Sequence, residues 1–104
     1  MDRELRDRWC ANLRSGDFKQ GRSKLSHGGR FCCIGVLART IDPKAKFGLG
    51  ATIVNGVEVG DSGSFHPNFT KEVGIKNQHL ELMYMNDTDK KTFAEIADWI
   101  EVNL

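Results

Sequence analysis

Leu5, Trp9 and Leu13 recur at every fourth position among charged residues. That spacing puts them on one face and predicts an amphipathic helix over residues 2 to about 14. Asp2 suits its start and Gly16 a left-handed end. From Phe31 to Thr40 nearly every position is apolar, and Phe31, Ile34 and Leu37 keep a spacing of three. A short buried helix is the favoured reading, though a run this short also fits a strand. Pro43 ends whichever element forms.

Between these two, residues 17 to 30 read as loop or short irregular strands, with Ser26-His27-Gly28-Gly29 as a turn. Further on, Ala51-Thr52-Ile53-Val54 and Val57-Glu58-Val59 flank Asn55-Gly56, a pair that favours the positive φ angles of a tight hairpin turn. Residues 60 to 70 read as a connection with Phe65 and Phe69 turned inward, and His66-Pro67-Asn68 as a turn. Leu80, Met83 and Tyr84 predict the buried stripe of a helix over residues 78 to 85, broken by Asn86-Asp87-Thr88-Asp89. Thr92 and Glu95 form a capping-box pair opening a last helix to about Val102, with Phe93, Ile96, Ala97 and Ile100 inward. The expected fold is α+β: a single small domain over residues 1–104, its N- and C-terminal helices packed on a small antiparallel sheet containing the Asn-Gly hairpin.

The length of 104 residues suits one domain, and 39% apolar with 28% charged residues is ordinary for a globular chain. No apolar run approaches the roughly 20 residues of a membrane-spanning helix. The charged start, Met-Asp-Arg-Glu-Leu-Arg-Asp-Arg, does not resemble the apolar part of a signal peptide, so a cytoplasmic location without membrane contact is expected. Cys10, Cys32 and Cys33 are odd in number and two are adjacent, which argues against a disulfide scaffold and for buried free thiols. His27 lies five residues before Cys32, the arrangement of a base and a nucleophile, but an apolar setting raises a thiol pKa. Neither a Cys-x-x-Cys spacing nor a paired-histidine motif points to zinc, and no cofactor is implied.

Charge changes the picture more. Residues 1–46 carry 11 Lys and Arg against 5 Asp and Glu, whereas residues 47–104 carry 4 against 9. The two halves can attract each other in the fold, and the basic excess can also draw a phosphate-bearing ligand. Arg14, Lys19, Arg22, Lys24 and Arg30 supply cations, and arginine suits bidentate contact with phosphate. Gly16, Gly21, Gly28 and Gly29 let the backbone approach a ligand, Gln20 can read a ribose or base edge, and Phe18 can stack on a base. Asn86 and Asp87 are candidate polar contacts, although residues of these types between helices commonly act as turn formers and caps. The same basic stretch also fits a solvated loop whose glycines only make turns. It matches neither a P-loop nor a dinucleotide fingerprint, and the near-balanced total charge disfavours nucleic acid as a partner.

Taken in order, Trp9-x3-Leu13-Arg14-Ser15-Gly16-x-Phe18-x-Gln20-Gly21 is followed by Phe31-Cys32-Cys33-Ile34-Gly35-Val36-Leu37. Met85-Asn86-Asp87 and Thr92-Phe93-Ala94-Glu95-Ile96-Ala97-Asp98-Trp99-Ile100-Glu101 complete the set. This ordered set resembles a group of small bacteriophage-encoded proteins; residues 42 to 75 lie outside the resemblance. It implies an origin, and with it the host cytoplasm, but no mechanism. Small phage accessory proteins often act by binding. The expected function is therefore sequestration of a phosphate-bearing, nucleotide-derived small molecule such as a host immune signal, without enzymatic turnover. The alternative is a phage inhibitor of a host defence enzyme acting by protein–protein contact through the acidic helices or the hairpin edge. A third reading is a nucleotide-processing enzyme using Cys32, His27 or Asp87. A homo-oligomer with its pocket between subunits would suit a chain of limited concavity.

Overall fold

Asp2 caps the first helix of the computed structural model, which describes residues 1–104: its side chain accepts the Leu5 N–H at 2.8 Å, and α1 runs Arg3–Arg14. The helix buries Trp9, Cys10 and Leu13 and leaves Leu5 half-buried. The chain leaves the helix through Gly16 at φ 81°, a backbone conformation that favours glycine.

Three two-residue strands follow: β1 (Lys19–Gln20), β2 (Ser26–His27) and β3 (Arg30–Phe31). β3 is central, parallel to β1 and antiparallel to β2. α2 spans Cys33–Ile41, so Phe31 lies outside the helix that its spacing predicts. Phe31 is held in the sheet opposite Gln20 and Ser26, and the extended Cys32 caps α2 instead, its sulfur accepting the Gly35 N–H at 3.4 Å.

A second sheet has the order β4 (Lys46–Gly48), β5 (Ala51–Val54) and β6 (Val57–Gly60), all antiparallel. β5 and β6 pair Val54 with Val57, and the intervening Asn55 and Gly56 have φ of 50° and 79°. The fold is α+β, but it contains two three-stranded sheets, one of them mixed, in place of a single antiparallel sheet. Strands of two or three residues are too short for a period-two pattern to register, which is why β4 carries no signal in the sequence.

Two further expectations are corrected. Residues 60 to 70 are not all connection: α3 spans Pro67–Val73, with Pro67 in the first turn where its missing N–H costs nothing and Gly74 closing the helix at φ 84°. α4 spans His79–Asp87 and buries Leu82, Met85 and Asn86, while Leu80 and Tyr84 are exposed. Of the predicted stripe only Met83 packs on the core, while Leu80 and Tyr84 face outward, and Asn86-Asp87 finish the helix and do not break it. A polar residue on the buried face misleads any reading by hydrophobicity. α5 spans Phe93–Asn103 with a complete capping box: Thr92 Oγ1 accepts the Glu95 N–H at 3.2 Å and Glu95 Oε1 accepts the Thr92 N–H at 2.9 Å. Phe93, Ile96, Ala97 and Ile100 are buried.

α1 packs between α5 and α2. The Trp9 indole donates to the Cys33 carbonyl at 2.9 Å, and Arg14 pairs with Asp98 and Glu101 on α5. One cluster of 21 buried apolar residues joins α1, α2, α4 and α5 to β5 and β6. No helix is long and apolar enough to cross a membrane.

Candidate anion-binding site

The basic loop between β1 and β2 is held by two side chains at the end of α4. Asn86 is fully buried and uses its whole amide. Its oxygen accepts from Gln20 Nε2 at 3.0 Å and the Cys33 N–H at 3.2 Å. Its nitrogen donates to the Gly21 carbonyl at 2.9 Å and Asp87 Oδ1 at 2.8 Å. Asp87 Oδ1 also accepts the Ser23 N–H at 2.9 Å, beside a Ser23 backbone at φ 71°. The loop is therefore pinned at Gln20, Gly21 and Ser23 while its cationic side chains face outward.

Those side chains line a small cleft. Gly21, Arg22, Lys24, His27 and Arg30 surround about 180 Å³, and none of the lining groups is acidic. Arg22 and Lys24 form no ion pair, and Arg30 donates only to the Gln20 carbonyl, at 3.3 Å. Gly21 allows the close approach of β3, since a Cβ there would stand 2.8 Å from the Arg30 Cβ. Its N–H donates to the Phe31 carbonyl at 2.7 Å.

A larger groove of about 470 Å³ adjoins this cleft and shares Lys24 and His27 with it. Its other walls are Ser26, the Gly28–Gly29 turn, Phe47, Gly48, the Leu49–Gly50 turn and Ser62, again without a carboxylate. The Leu25 N–H donates to the Ser62 carbonyl at 2.9 Å and ties the two walls together. Leu49 is fully exposed at φ 53°, where a residue with a Cβ costs about 1–2 kcal/mol relative to the ordinary right-handed region.

Of the residues singled out from the sequence, Gly21, Arg22, Lys24 and Arg30 meet at the cleft. Lys19 is exposed on β1 but lines neither cavity. Arg14 is occupied on α5 by Asp98 at 2.6 Å and by Glu101, and these carboxylates push its pKa further up. Phe18 is half-buried against the Phe31 ring edge, with centroids 5.3 Å apart. Gln20 spends its amide protons on Asn86 and, at 2.8 Å, on the Lys91 carbonyl. Asn86 and Asp87 hold the loop from behind. Sequence reasoning missed the second wall, Phe47–Gly50 with Ser62; its only signal is the glycine pair Gly48 and Gly50 around an apolar Leu49.

The cysteines stand apart from this surface. All three are buried and free. Burial raises the Cys10 and Cys32 thiols to about 11 and Cys33 well above its ordinary value. Native protein at pH 8 is therefore expected to resist a thiol reagent such as dithionitrobenzoate, and to release three equivalents after unfolding; rapid native labelling would contradict this burial. Because the folded pKa lies above the unfolded one of about 8.5, the stabilising contribution of the neutral thiols is full below that pH. It is lost as pH rises towards and past 11, so unfolding should become easier at alkaline pH. No three His, Cys, Asp or Glu side chains converge as a metal site would require.

Residues 1–46 match the model of a domain of unknown function, DUF8296. That segment ends at the first residue of β4 and contains every residue lining the smaller cleft. No curated protein and no solved structure matches the chain.

Proposed function

We infer that this protein binds and sequesters a phosphate-bearing, nucleotide-derived small molecule, acting as a phage accessory protein against a host signal. The observation that carries this reading is the convergence of Arg22, Lys24, Arg30 and His27 on one cleft with no carboxylate in its lining and no ion pair to its lysine or arginines. Unpaired cations held on a pinned loop attract an anion without first breaking an ion pair. The buried thiols, with Cys32 raised to about 11 and Cys33 well above its ordinary value, speak for retention of the ligand over nucleophilic turnover.

Calorimetry against a panel of nucleotides and cyclic nucleotides tests this reading. Arg22→Ala and Lys24→Ala should each weaken binding by about 10- to 150-fold, the range for a charge-assisted hydrogen bond of about 1.5–3 kcal/mol. Lys19→Ala should change it little. Absence of binding across the panel, or equal binding by the Arg22 and Lys24 variants, rules the reading out. Ligand released intact from heat-denatured protein distinguishes sequestration from turnover.

One observation favours the inhibitor reading. Leu80 and Tyr84, one turn apart on α4, are 79% and 56% exposed. A pull-down from host lysate that retains a stoichiometric protein through Leu80 and Tyr84, with no small molecule bound, would replace sequestration by inhibition.

A further inference from the structure

The two adjoining cavities differ in chemistry, and the difference defines the ligand beyond its charge. Arg22 and Arg30 line only the smaller one. Lys24 and His27 stand on the border, and beyond them the larger groove has no ionisable side chain. It offers Ser26 and Ser62, the exposed backbone of two glycine-bearing turns, Leu49, and Phe47, whose ring also packs against Phe31 and under the Arg39 guanidinium. At about 470 Å³ it falls within the range of small-molecule sites, whereas about 180 Å³ does not.

Resting on the anion-binding reading above, we propose that the site takes a nucleoside monophosphate or a similarly compact phosphoester, its phosphate among Arg22, Lys24 and Arg30 and its uncharged nucleoside body between the Gly28–Gly29 and Leu49–Gly50 turns. A polyphosphate or nucleic-acid strand continuing into the groove would meet no lysine or arginine lining it past Lys24. An uncharged body with hydrogen-bonding edges and an apolar face matches what the groove presents. Leu49 adds an independent indication. It holds a left-handed backbone that glycine or asparagine adopts more readily, yet its side chain is fully exposed and gains no burial in the free protein. A nucleoside in the groove would cover it.

The second wall can be altered without touching the cations. A Cβ on Gly48 meets no atom within 4 Å, so Gly48→Leu should fold normally and add bulk at the wall that this residue lines. Titration of the full-length protein with the four 5′-nucleoside monophosphates, ribose 5-phosphate and inorganic phosphate is the test. At least one nucleotide should bind tenfold or more tightly than ribose 5-phosphate. Gly48→Leu should erase that advantage, so that the nucleotide binds no more tightly than ribose 5-phosphate. Leu49→Gly should weaken the nucleotide severalfold while raising the melting temperature. Nucleotide binding that falls in Arg22→Ala but is unchanged in Gly48→Leu overturns the two-cavity assignment and leaves the anion-binding reading intact. Failure of every phosphate compound to bind overturns both.

Discussion

Gly35→Ala should destabilise the protein by about 3 kcal/mol or more, the upper end of what overpacking a core costs. In an ordinary helix interior the same exchange is favourable by up to about 1 kcal/mol, so the sign itself is diagnostic. Gly35 is fully enclosed in α2, and a Cβ there would overlap the Leu25 carbonyl oxygen and stand 2.8 Å from its carbon. The obstacle is backbone that has little room to move. The Leu25 carbonyl accepts the Cys32 N–H at 3.2 Å, and the Leu25 N–H donates to Ser62 at 2.9 Å. Yielding to the methyl group would therefore disturb the cap of α2 and the second wall of the groove together. Urea unfolding measures the effect, with Gly48→Ala as the control at a position that has free space. An unchanged midpoint for Gly35→Ala would contradict the close packing of α2 on residue 25.

Asn86→Leu should cost about 3–5 kcal/mol and weaken anion binding as well, although Asn86 does not line the cleft. The substitution leaves the Gly21 carbonyl and the fully buried Cys33 N–H without this partner and takes one of the two acceptors of the Gln20 amide. An unsatisfied buried group costs about 1–3 kcal/mol, and those sharing one network do not add independently. Asn86→Asp separates the components. It keeps the acceptor for Cys33 and Gln20, removes both donors and sets a second carboxylate against Asp87. Burial and that repulsion hold the new carboxyl's folded pKa above its unfolded one. Its neutral form is thus favoured by the fold, and the damage should be largest near neutral pH and shrink as pH falls into the acid range. Paired denaturation and phosphate-binding measurements check both variants. Stability lost with affinity retained would show that the cleft does not depend on its anchor.

What could be read in advance depended on whether the deciding interactions were local. α5 reads directly from the sequence, since Thr92 and Glu95 are three residues apart and Phe93, Ile96, Ala97 and Ile100 follow helical spacing. α1 is legible for the same reason. α4 is not: its face is chosen with Asn86, whose partners outside the helix lie 53 to 66 residues away in sequence. Within the site, the cations Arg22, Lys24 and Arg30 are visible as a cluster in the sequence. The roles of Arg14, Phe18 and Gln20 are not, because Asp98, Glu101, Phe31 and Lys91 reach them only through tertiary contacts. The second wall is brought to the first by the tie between Leu25 and Ser62, which leaves no pattern in either segment.

The docking of α1 on α5 also bears on how the chain is made. The Cys10 thiol meets the Ala97 carbonyl, and Arg14 meets Asp98 and Glu101, across 84 to 87 residues of sequence. At ribosomal speeds of about 5–20 residues per second, this side of α1 waits on the order of 4–17 seconds for its partner to be synthesised. Trp9 has a nearer partner, since Cys33 on α2 is only 24 residues away. The first two helices can therefore meet on the ribosome well before α5 appears. Until then the Cys10 face of α1 stays uncovered, a window in which a nascent chain is open to chaperones and to self-association.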